Sequence, residues 1–599
     1  MQLCLENGAL CLRDGNKTVL SALRVGIRRW GAHLNTLTSW CSGPWREDGG
    51  AFCCDGARIE CRPAGQGILL RTYYTNCCDD LPSVDEFFAL QGEMGEAPRR
   101  LMLNLPHNSN GLALGDMLSK CVTVTPQWGE RDTSADYALS EGETQFRLWG
   151  FAGFDCYFGT VDFMGEGVVT FSHNLEKHPL QKGESLCSDW MYVSPAGEAA
   201  ELLKGYGDLL AADVPTPLKP VPTGYCTWYY YLQDVSQKDV EENLEWLRAH
   251  KDRFPVRVIQ IDDGWSDAVG DWSPNEKFDP PALAREIRDA GFLPGLWFNP
   301  FGAGAQSRVA REHPEYFVRN ADGSLWQSRG RHCFDFSRPD AADYLRQTVR
   351  RFVSWGFGYF KMDLISDVLA PGVYEDPQFN ALRNYRRGLR LVREAAGEEV
   401  YLLCCTAPIL ASVGYADGMR VSGDVFEHWE STPRIYGRIF KRWWMDGRLF
   451  RNDPDCIILR TAAEEDGGCL RPCTRTEREL QTFATACIAA GGALMLSDKM
   501  PLLKEEHLRM LAACLGDRRA GEPLDLTEST VPGLVDLGLR DGVRTLAVMN
   551  WGDRERSFTL PGTAGHALHE AWSGADYRPE EDLSLSLPPH GSALMEIRE

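Results

Sequence analysis

Strand-like and helix-like patterns alternate along the middle of this 599-residue chain, and that alternation restricts the folds open to it. Short apolar runs, most of them separated by segments of helical periodicity, predict eight strands. The predicted strands are 224–229, 256–261, 292–298, 332–336, 358–362, 400–404, 419–421 and 493–496. Alternating β and α units over about 275 residues match a (β/α)₈ TIM barrel in number and size. A doubly wound open sheet is the alternative, but no glycine-rich phosphate loop follows the first predicted strand.

The segments on either side of this region are predicted to be β. Residues 1 to about 200 carry short alternating runs broken by Gly, Asn and Asp, as in a β-sandwich. Prolines crowd residues 213–222 and predict a stiff connector, and the chain returns to a β pattern from about residue 525. We therefore expect a multidomain α/β plus β protein. Its parts are an N-terminal β-sandwich (1–212), the central barrel (213–522) and a small C-terminal β-sandwich (523–599).

Charge and cysteine content limit the partners and the compartment. The net charge of −22 argues against a nucleic-acid partner or an anionic membrane, which need a basic surface. Residues 1–8 lack the basic start and apolar stretch of a secretion signal, and no apolar run approaches the ~20 residues of a membrane span. The 20 cysteines follow no repeating spacing, so we predict reduced thiols in a cytoplasm.

A metal site is not predicted. Cys456, Cys469 and Cys473 are close in sequence, but no second cysteine pair or histidine pair completes a ligand set around them.

Carboxylates follow several of the predicted strands. The C-terminal ends of barrel strands form the functional face of such a fold. Acidic residues at these ends are Asp262 with Asp263, Asp335, Asp363, Asp424 and Asp498. Capping of the next helix is the preferred interpretation for Asp335 and Asp498. Because adjacent strand residues point to opposite faces, two consecutive acids indicate that the strand has ended and that both can reach the mouth.

Two of these carboxylates have different sequence environments. Lys361 shares a strand face with Asp363 and should keep that carboxylate ionised, as a nucleophile requires. Asp424 is followed by Val425 and Phe426, and apolar neighbours favour the protonated form that a general acid requires. Glycoside cleavage needs such a pair. Flat apolar faces for a sugar ring, or equally core positions, are offered by Trp228, Trp297 and Trp272.

The order of these elements resembles the α-galactosidases of glycoside hydrolase family 36, most of all the compact bacterial members. The resemblance covers roughly residues 220–500 and is weaker over both flanks. The motifs that carry it are Thr227-Trp228-Tyr229, Gln260-Ile261-Asp262-Asp263, Gly270-Asp271-Trp272, Pro294-Gly295-Leu296-Trp297, Tyr359-Phe360-Lys361-Met362-Asp363, Asp417-Gly418-Met419-Arg420 running to Asp424, and Asn452-Asp453-Pro454-Asp455-Cys456.

The resemblance implies a retaining, exo-acting α-galactosidase. Asp363 would be the nucleophile and Asp424 the general acid and then the general base. It implies a small-molecule carbohydrate as substrate and no metal or organic cofactor. Assembly into a homo-oligomer stays possible. The implied sugar-binding residues are Asp262 and Asp263 for O4 and O6, Lys361 and Arg420 for other hydroxyls, and Trp228 and Trp297 for the pocket wall.

Two departures from the family pattern leave alternatives open. Longer members carry a Cys-Ser-Gly-Gly-Gly element after the sixth strand, where this chain has Cys404-Cys405-Thr406-Ala407-Pro408. In relatives this region lies near the 2-position of the sugar. Cys404 is therefore a predicted substrate contact, and an α-N-acetylgalactosaminidase stays open. So does a raffinose-synthase-like galactosyl transferase.

The presence of both Asp363 and Asp424 argues against a non-catalytic carbohydrate-binding protein. The tryptophan-bearing N-terminal motif that closes the pocket in relatives has no counterpart here. The candidates to replace it are Tyr73, Tyr74 and Asp79.

Overall fold

In a computed structural model of the chain, the described residues are 1–30, 36–127, 129–165, 167–213 and 218–598. The predicted proline-rich connector lies partly outside them, at 214–217. Within those described ranges, every helix is too short or too polar to span a bilayer.

Twenty strands make up the N-terminal part. Their bounds are β1 Gln2–Glu6, β2 Ala9–Asp14, β3 Lys17–Trp30, β4 Thr36–Trp40, β5 Ser42–Asp48, β6 Ala51–Asp55, β7 Ala57–Ala64, β8 Gly67–Thr75, β9 Leu81–Met94, β10 Arg100–Leu105, β11 His107–Ser109, β12 Leu112–Leu114, β13 Lys120–Val124, β14 Arg131–Ala135, β15 Tyr137–Glu141, β16 Phe146–Phe151, β17 Gly159–Met164, β18 Val168–Leu180, β19 Ser185–Cys187 and β20 Met191–Val193.

These strands form two large antiparallel sheets. One has the order β1-β2-β3-β9-β18-β17-β14 with β4 beside β3, and the other has the order β13-β10-β15-β16-β20-β8-β7-β6-β5 with β19 beside β8. Leu20 and Phe87 from the first sheet belong to the same buried core as Leu70 and Leu139 from the second. Buried and less buried residues alternate in the second half of β8, whereas β10 and β16 bury several consecutive residues.

Eleven strands follow in the central part. Their bounds are β21 Thr223–Cys226, β22 Val258–Ile261, β23 Leu293–Phe298, β24 Gly302–Gly304, β25 Arg331–Cys333, β26 Tyr359–Met362, β27 Tyr401–Cys404, β28 Gly418–Arg420, β29 Arg451–Asp453, β30 Cys456–Ile457 and β31 Leu494–Leu496.

Nine of them form one parallel sheet with the order β29-β28-β27-β26-β23-β22-β21-β31-β30. Its two edge strands, β29 and β30, are separated in the chain by Pro454 and Asp455 alone. Because the two edges are joined by so short a segment, the sheet must curl round until they approach each other. The strands read as near-continuous buried runs, as expected for a parallel sheet covered on both faces.

One of the eight strand predictions is wrong. The run 332–336 belongs to β25, which pairs antiparallel with β24 outside the parallel sheet. β23 pairs directly with β26, and β29 and β30 complete the sheet at another point, beside β28 and β31. A search for apolar runs misses them because β29 is polar and Pro454 separates it from the two-residue β30. The first predicted strand is also shorter than expected, since it ends at Cys226 and a helical turn begins at Trp228.

Ten α-helices connect these elements. Their bounds are α1 Ala199–Asp213, α2 Trp228–Tyr231, α3 Gln237–Ala249, α4 Pro280–Asp289, α5 Arg308–Glu312, α6 Pro339–Trp355, α7 Ala381–Ala396, α8 Ser431–Lys441, α9 Glu477–Ala490 and α10 Glu505–Cys514 among the described residues. Helix α3 begins with the predicted capping box of Ser236 and Asp239. Helix α6 buries the predicted stripe of Leu345, Val349 and Phe352.

The C-terminal part is a small β structure. Its strands are β32 Glu522–Pro523, β33 Leu534–Arg540, β34 Val543–Met549, β35 Arg556–Thr559, β36 Ala567–Glu570, β37 Asp576–Tyr577, β38 Ser584–Leu587 and β39 Ser592–Arg598. Six of them pair in the order β32-β33-β34-β39-β36-β37, and β35 pairs with β38. They enclose a core of their own that includes Val548, Phe558 and Met595.

Candidate active site

A cavity of about 510 Å³ opens at the carboxyl ends of the central parallel strands. Eight of the ten residues predicted to form the site line it, which places residues from five strand ends around one space. Those eight are Asp262, Asp263, Trp228, Trp297, Lys361, Asp363, Arg420 and Asp424. Parallel strands bring such distant sequence segments together because their C-terminal ends share one edge.

Asp363 is held through both oxygens of its carboxylate. Its Oδ1 accepts hydrogen bonds from Thr406 Oγ1 at 2.7 Å and from the Leu364 amide at 2.6 Å, and its Oδ2 accepts one from Trp297 Nε1 at 3.1 Å. Lys361 Nζ lies 3.8 Å from the same Oδ2. Leu364 and Thr406 both have positive φ, at 56° and 43°, which is a strained conformation for these side chains. The backbone therefore bends sharply at both strand ends to point donors at Asp363.

The electrostatics around Asp363 favour its charged form. Burial alone would raise the pKa of Asp363, but the Lys361 ammonium and the hydrogen bonds from Thr406 and Trp297 outweigh it and hold that pKa below the ordinary value. Burial likewise opposes the charge on Lys361, yet Asp262 and Asp363 together raise the pKa of Lys361 well above its usual range. Both groups are therefore ionised at neutral pH, as the shared strand face of Lys361 and Asp363 predicted.

The two consecutive acids after β22 have unequal surroundings. Asp262 is buried and bonded throughout: its Oδ2 accepts from Lys361 Nζ at 2.9 Å and from Gln260 Nε2 at 2.7 Å, and its Oδ1 accepts from the Asp263 amide. Asp263 is partly exposed, and its Oδ2 receives only a 3.2 Å bond from Gln233 Nε2. Burial, together with the negative charge of Asp262, raises the pKa of Asp263. Asp263 thus has more free acceptor capacity facing the cavity than Asp262.

Asp424 lies in a more open and more polar environment than its sequence neighbours predicted. Its side chain is 40% exposed, and Arg420 Nη1 donates to its Oδ1 at 3.2 Å. Val425 turns into the protein interior, whereas Phe426 lines the same cavity as Asp424.

Arg420 donates hydrogen bonds to three carboxylates. It donates to Asp424, to Asp453 Oδ2 at 3.2 Å and to Asp455 Oδ1 at 2.5 Å. Asp455 also accepts from the Val425 amide at 2.7 Å and from the Tyr229 hydroxyl. Burial, only partly offset by Arg420, raises the pKa of Asp455 to about 6. Three of the five N–H donors of Arg420 thus fix the loop that carries Asp424, and its contact with sugar hydroxyls stays a prediction, since Arg420 also lines the cavity.

Two predicted substrate contacts lie away from the cavity. Trp272 is buried and packs against Trp265 and Trp297, so it supports the wall from behind. Cys404 is the last residue of β27 and faces away from the cavity, and burial raises the pKa of its thiol to about 12. The cavity is reached two residues later, by Thr406, which lies beyond the end of the strand at a backbone φ of 43°, so the strand alternation no longer fixes its direction.

The helix-capping interpretation also fails for two strand-end acids. Asp335 lies outside the cavity lining and accepts bonds from Ser337 and from the Glu375 amide. Asp498 forms an ion pair with Arg460 at 2.8 Å. Neither occupies the N-cap of the helix that follows it.

The N-terminal part reaches the cavity through residues that the sequence did not indicate. Met117 and Leu118 line it, whereas Tyr73, Tyr74 and Asp79 do not. The sulfur of Met117 lies 3.4 Å from the Thr406 amide nitrogen. A contact between residues so far apart in sequence depends on how the sheets dock, which short-range patterns do not report.

Sequence reasoning also missed several polar residues of the lining. The most relevant is Thr406, whose hydroxyl contacts Asp363. Its position just beyond a predicted strand end could have indicated that Thr406 lies at the cavity. Further lining residues are Tyr229, Gln233, Arg329, Arg331, Leu364, Asp367, Gly423, Phe426, Arg434, Ile435 and Arg438.

A cluster with metal-ligand geometry lies outside this cavity. Glu477, Glu506 and His507 bring one ligand atom each within 4.8 Å of the others, and both glutamates are exposed. His507 already bonds Glu464 through Nδ1 and Glu477 through Nε2. Protein groups therefore satisfy both ring nitrogens.

Comparison with known proteins identifies the central part of the chain. Residues 234–393 match the Melibiase family model, and this range contains Asp262, Asp263, Trp297, Lys361 and Asp363. The chain contains a Melibiase domain. That domain does not extend to Arg420 or Asp424, whose positions rest on the geometry above.

Sequence relatives and solved structures extend this comparison. The chain is 24% identical to the α-galactosidase AgaA of Geobacillus stearothermophilus over 172 residues, which cover 26% of this chain and 23% of that protein. The alignments with the first curated relatives thus span less than a third of those relatives' length.

The structural likeness is much broader. The AgaA crystal structure superposes with a TM-score of 0.64 at 13% identity, over 98% of this chain and 89% of that one. An α-galactosidase of Thermus thermophilus in complex with stachyose superposes with a TM-score of 0.58 at 22% identity, over 80% of this chain and 100% of that one. The Melibiase domain and its flanking parts therefore share the fold of these enzymes.

Proposed function

We propose that this protein is a retaining, exo-acting α-galactosidase that hydrolyses terminal α-linked galactose by double displacement. The proposal includes a closed (β/α)₈ barrel at 213–522, between an N-terminal β-sandwich at 1–212 and a C-terminal β-domain at 523–599. It also includes a reducing cytoplasm, since all twenty cysteines are free thiols in the structure.

One observation carries the proposal: a buried carboxylate and an accessible carboxylate line the same cavity. Asp363 is kept ionised by Lys361, Thr406 and Trp297, which suits a nucleophile. The side chain of Asp424 is 40% exposed and pairs with Arg420. This exposure suits a group that exchanges a proton with the leaving oxygen and then with water. Retaining glycosidases need these two roles within one site.

The first step would form a covalent glycosyl–enzyme. An Asp363 carboxylate oxygen attacks the anomeric carbon while the bond from that carbon to the leaving oxygen breaks. Asp424 gives its proton to the leaving oxygen, and the electron pair of the broken bond stays with that oxygen. As Asp363 loses its negative charge to the new ester, the Lys361 ammonium retains Asp262 as its partner at 2.9 Å.

The second step would release the sugar. Asp424, now a carboxylate, removes a proton from a water molecule, and the water oxygen attacks the anomeric carbon as its bond to Asp363 breaks. Two inversions return the α configuration. Arg420 stabilises Asp424 as a carboxylate in this half of the cycle and serves as a positioning residue.

The sugar hydroxyls would be recognised mainly by the acids after β22. Asp263 has free acceptor positions toward the cavity, while Asp262 orients Lys361 and supports Asp263 through its amide. Trp228 and Trp297 supply apolar surface for the ring. The relatives named above are α-galactosidases, and one of them was solved with stachyose bound, which supports a small carbohydrate substrate.

A panel of 4-nitrophenyl α-glycosides tests the substrate, and NMR tests the stereochemistry. We expect hydrolysis of the α-galactoside, little of the 2-acetamido analogue, and the α anomer as the first-formed galactose. Faster hydrolysis of the 2-acetamido analogue would favour an α-N-acetylgalactosaminidase. Predominant transfer to an added sugar would favour a galactosyl transferase. Initial release of the β anomer would contradict retention.

A further inference from the structure

Two arginines on one side of the cavity lack an acidic partner. Arg434 and Arg438 lie one turn apart on α8, and both line the cavity. In the described part of the chain, neither has a carboxylate oxygen within 4.0 Å. Of the other cations of the lining, Lys361 pairs with Asp262, Arg329 with Asp367 at 2.8 Å and Arg420 with Asp453, whereas Arg331, like the two arginines of α8, has no carboxylate oxygen within 4.0 Å among the described residues.

The surroundings of Arg438 make this lack of a partner costly. Arg438 is half-buried, and burial together with the positive charges of Arg442 and Arg434 lowers the pKa of Arg438 to about 10. Like charges four residues apart on a helix repel each other and destabilise the helix. Arg442 is wholly buried and donates to the carbonyl oxygens of Val421 and Ser119, so it adds charge without neutralising its neighbours. In a chain with a net charge of −22, three such cations along one helix stripe are exceptional.

The position of Arg438 relates it to the leaving group. Its Nη1 lies 3.0 Å from the point that a Cβ on Gly423 would occupy, so the guanidinium rests against the residue before Asp424. In the proposed reaction Asp424 protonates the leaving oxygen. A group attached to that oxygen therefore extends toward the side of the cavity where Arg434 and Arg438 lie.

We propose that Arg434 and Arg438 bind an oxyanion on the aglycone, so that the preferred substrates are α-galactosides whose leaving group carries a phosphate, sulfate or carboxylate. This rests on the proposed function. Guanidinium groups bind such oxyanions through two parallel hydrogen bonds, and the partly desolvated site strengthens them. The cavity then has two ends of opposite character, with acids around the galactose and arginines around the aglycone.

A matched pair of substrates tests this inference. The 3-carboxyphenyl and 3-carbamoylphenyl α-galactosides have similar shape and differ in charge, and a 3-phosphophenyl analogue compares the two kinds of oxyanion. We expect the wild-type ratio of kcat/KM, anionic over neutral, to fall about tenfold in Arg438→Gln, the effect of one lost hydrogen bond to a charged group. Arg434→Gln should also lower this ratio, and added salt should lower the ratio of the wild type.

The control is Arg350→Gln, which removes the same charge from an exposed position on α6 outside the cavity. Its ratio should equal that of the wild type. Taking the ratio of ratios cancels any difference in leaving-group chemistry between the two substrates. If the neutral substrate is hydrolysed and Arg438→Gln leaves the ratio unchanged, the inference is wrong and the proposed function stands.

A binding measurement distinguishes a failure of the proposed function from a failure of the oxyanion site. If the wild type hydrolyses neither substrate, the proposed function is wrong, and titration calorimetry with inorganic phosphate at low ionic strength tests the arginines alone. Binding that is present in the wild type and in Arg350→Gln, but absent in Arg438→Gln, supports the oxyanion site. Equal or absent binding in all three proteins overturns it.

Discussion

Thr406→Val should shift the acidic limb of the pH–rate profile without changing the shape of the cavity. The substitution replaces a hydroxyl by a methyl group of similar size and keeps the β-branched side chain at a position with φ of 43°. It removes the 2.7 Å hydrogen bond to Asp363 Oδ1 and leaves the donors from Leu364, at 2.6 Å, and Trp297, at 3.1 Å. The negative form of Asp363 is therefore less stable in the variant.

The size of the shift follows from the strength of that bond. A hydrogen bond to a charged group contributes about 1.5–3 kcal/mol, and one pKa unit corresponds to about 1.4 kcal/mol. The pKa of Asp363, which lies below its ordinary value in the wild type, should rise by about one unit or somewhat more. A nucleophile with a higher pKa is intrinsically more reactive, so the loss of kcat/KM should be concentrated at acidic pH.

The assay is kcat/KM from pH 3 to pH 8 with a dinitrophenyl α-galactoside. Such a leaving group needs little help from a general acid, so the acidic limb reports Asp363 rather than Asp424. Activity at pH 6 after incubation at each pH separates titration from unfolding. The control is Thr482→Val, which removes a buried hydroxyl bond to the His590 carbonyl oxygen, at 2.7 Å, far from the cavity. An acidic limb at the same pH in Thr406→Val and the wild type would refute the reasoning.

Three further substitutions test other parts of the account. Trp297→Phe keeps an aromatic wall but removes the N–H that bonds Asp363, so the acidic limb of kcat/KM should move in the same direction, and an unmoved limb would count against that bond. Arg420→Met leaves three carboxylates without their cation, so thermal denaturation should show that the free energy of unfolding falls by about 3–5 kcal/mol. A variant as stable as the wild type would contradict this. Burial raises the pKa of Asp136 to about 8, so the folded state holds a proton that the unfolded state releases, and the free energy of unfolding should fall as pH rises from about 4 to about 8. Urea denaturation at pH 5, 7 and 9 should show a weaker fall in Asp136→Asn, and equal slopes for the two proteins would contradict the assignment.

The strands that sequence predicted best are those whose stability comes from apolar burial. Runs such as 358–362 and 400–404 are buried on both faces, and their composition alone identifies them. The edge strand β29 is polar, and the two-residue β30 is separated from it by Pro454 and Asp455, so the neighbouring strands determine that they pair. Conversely, the run at 332–336 is buried outside the parallel sheet, where β25 pairs with β24.

The candidate site divides along the same line between local and long-range effects. Lys361 and Asp363 are two residues apart on one strand, so their proximity follows from the geometry of a strand. The choice of Arg420 as a partner for Asp453 and Asp455, and the arrival of Met117 beside Thr406, depend on tertiary packing. Cys404 and Thr406 are two residues apart, so strand alternation would place them on the same face, and it is the bend after β27, where Thr406 has a positive φ, that brings Thr406 to the cavity.

The central claim assigns Asp363 as nucleophile and Asp424 as acid and base, and azide rescue tests it most directly. In Asp363→Ala, azide should enter the space left by the carboxylate, restore turnover of an activated α-galactoside and give the β-galactosyl azide. In Asp424→Ala, the covalent intermediate should still form with an activated leaving group, and azide should intercept it to give the α-galactosyl azide. Opposite anomers from the two variants are the predicted result, identified by proton NMR of the isolated azides. The same anomer from both variants would contradict the assignment of at least one of the two residues.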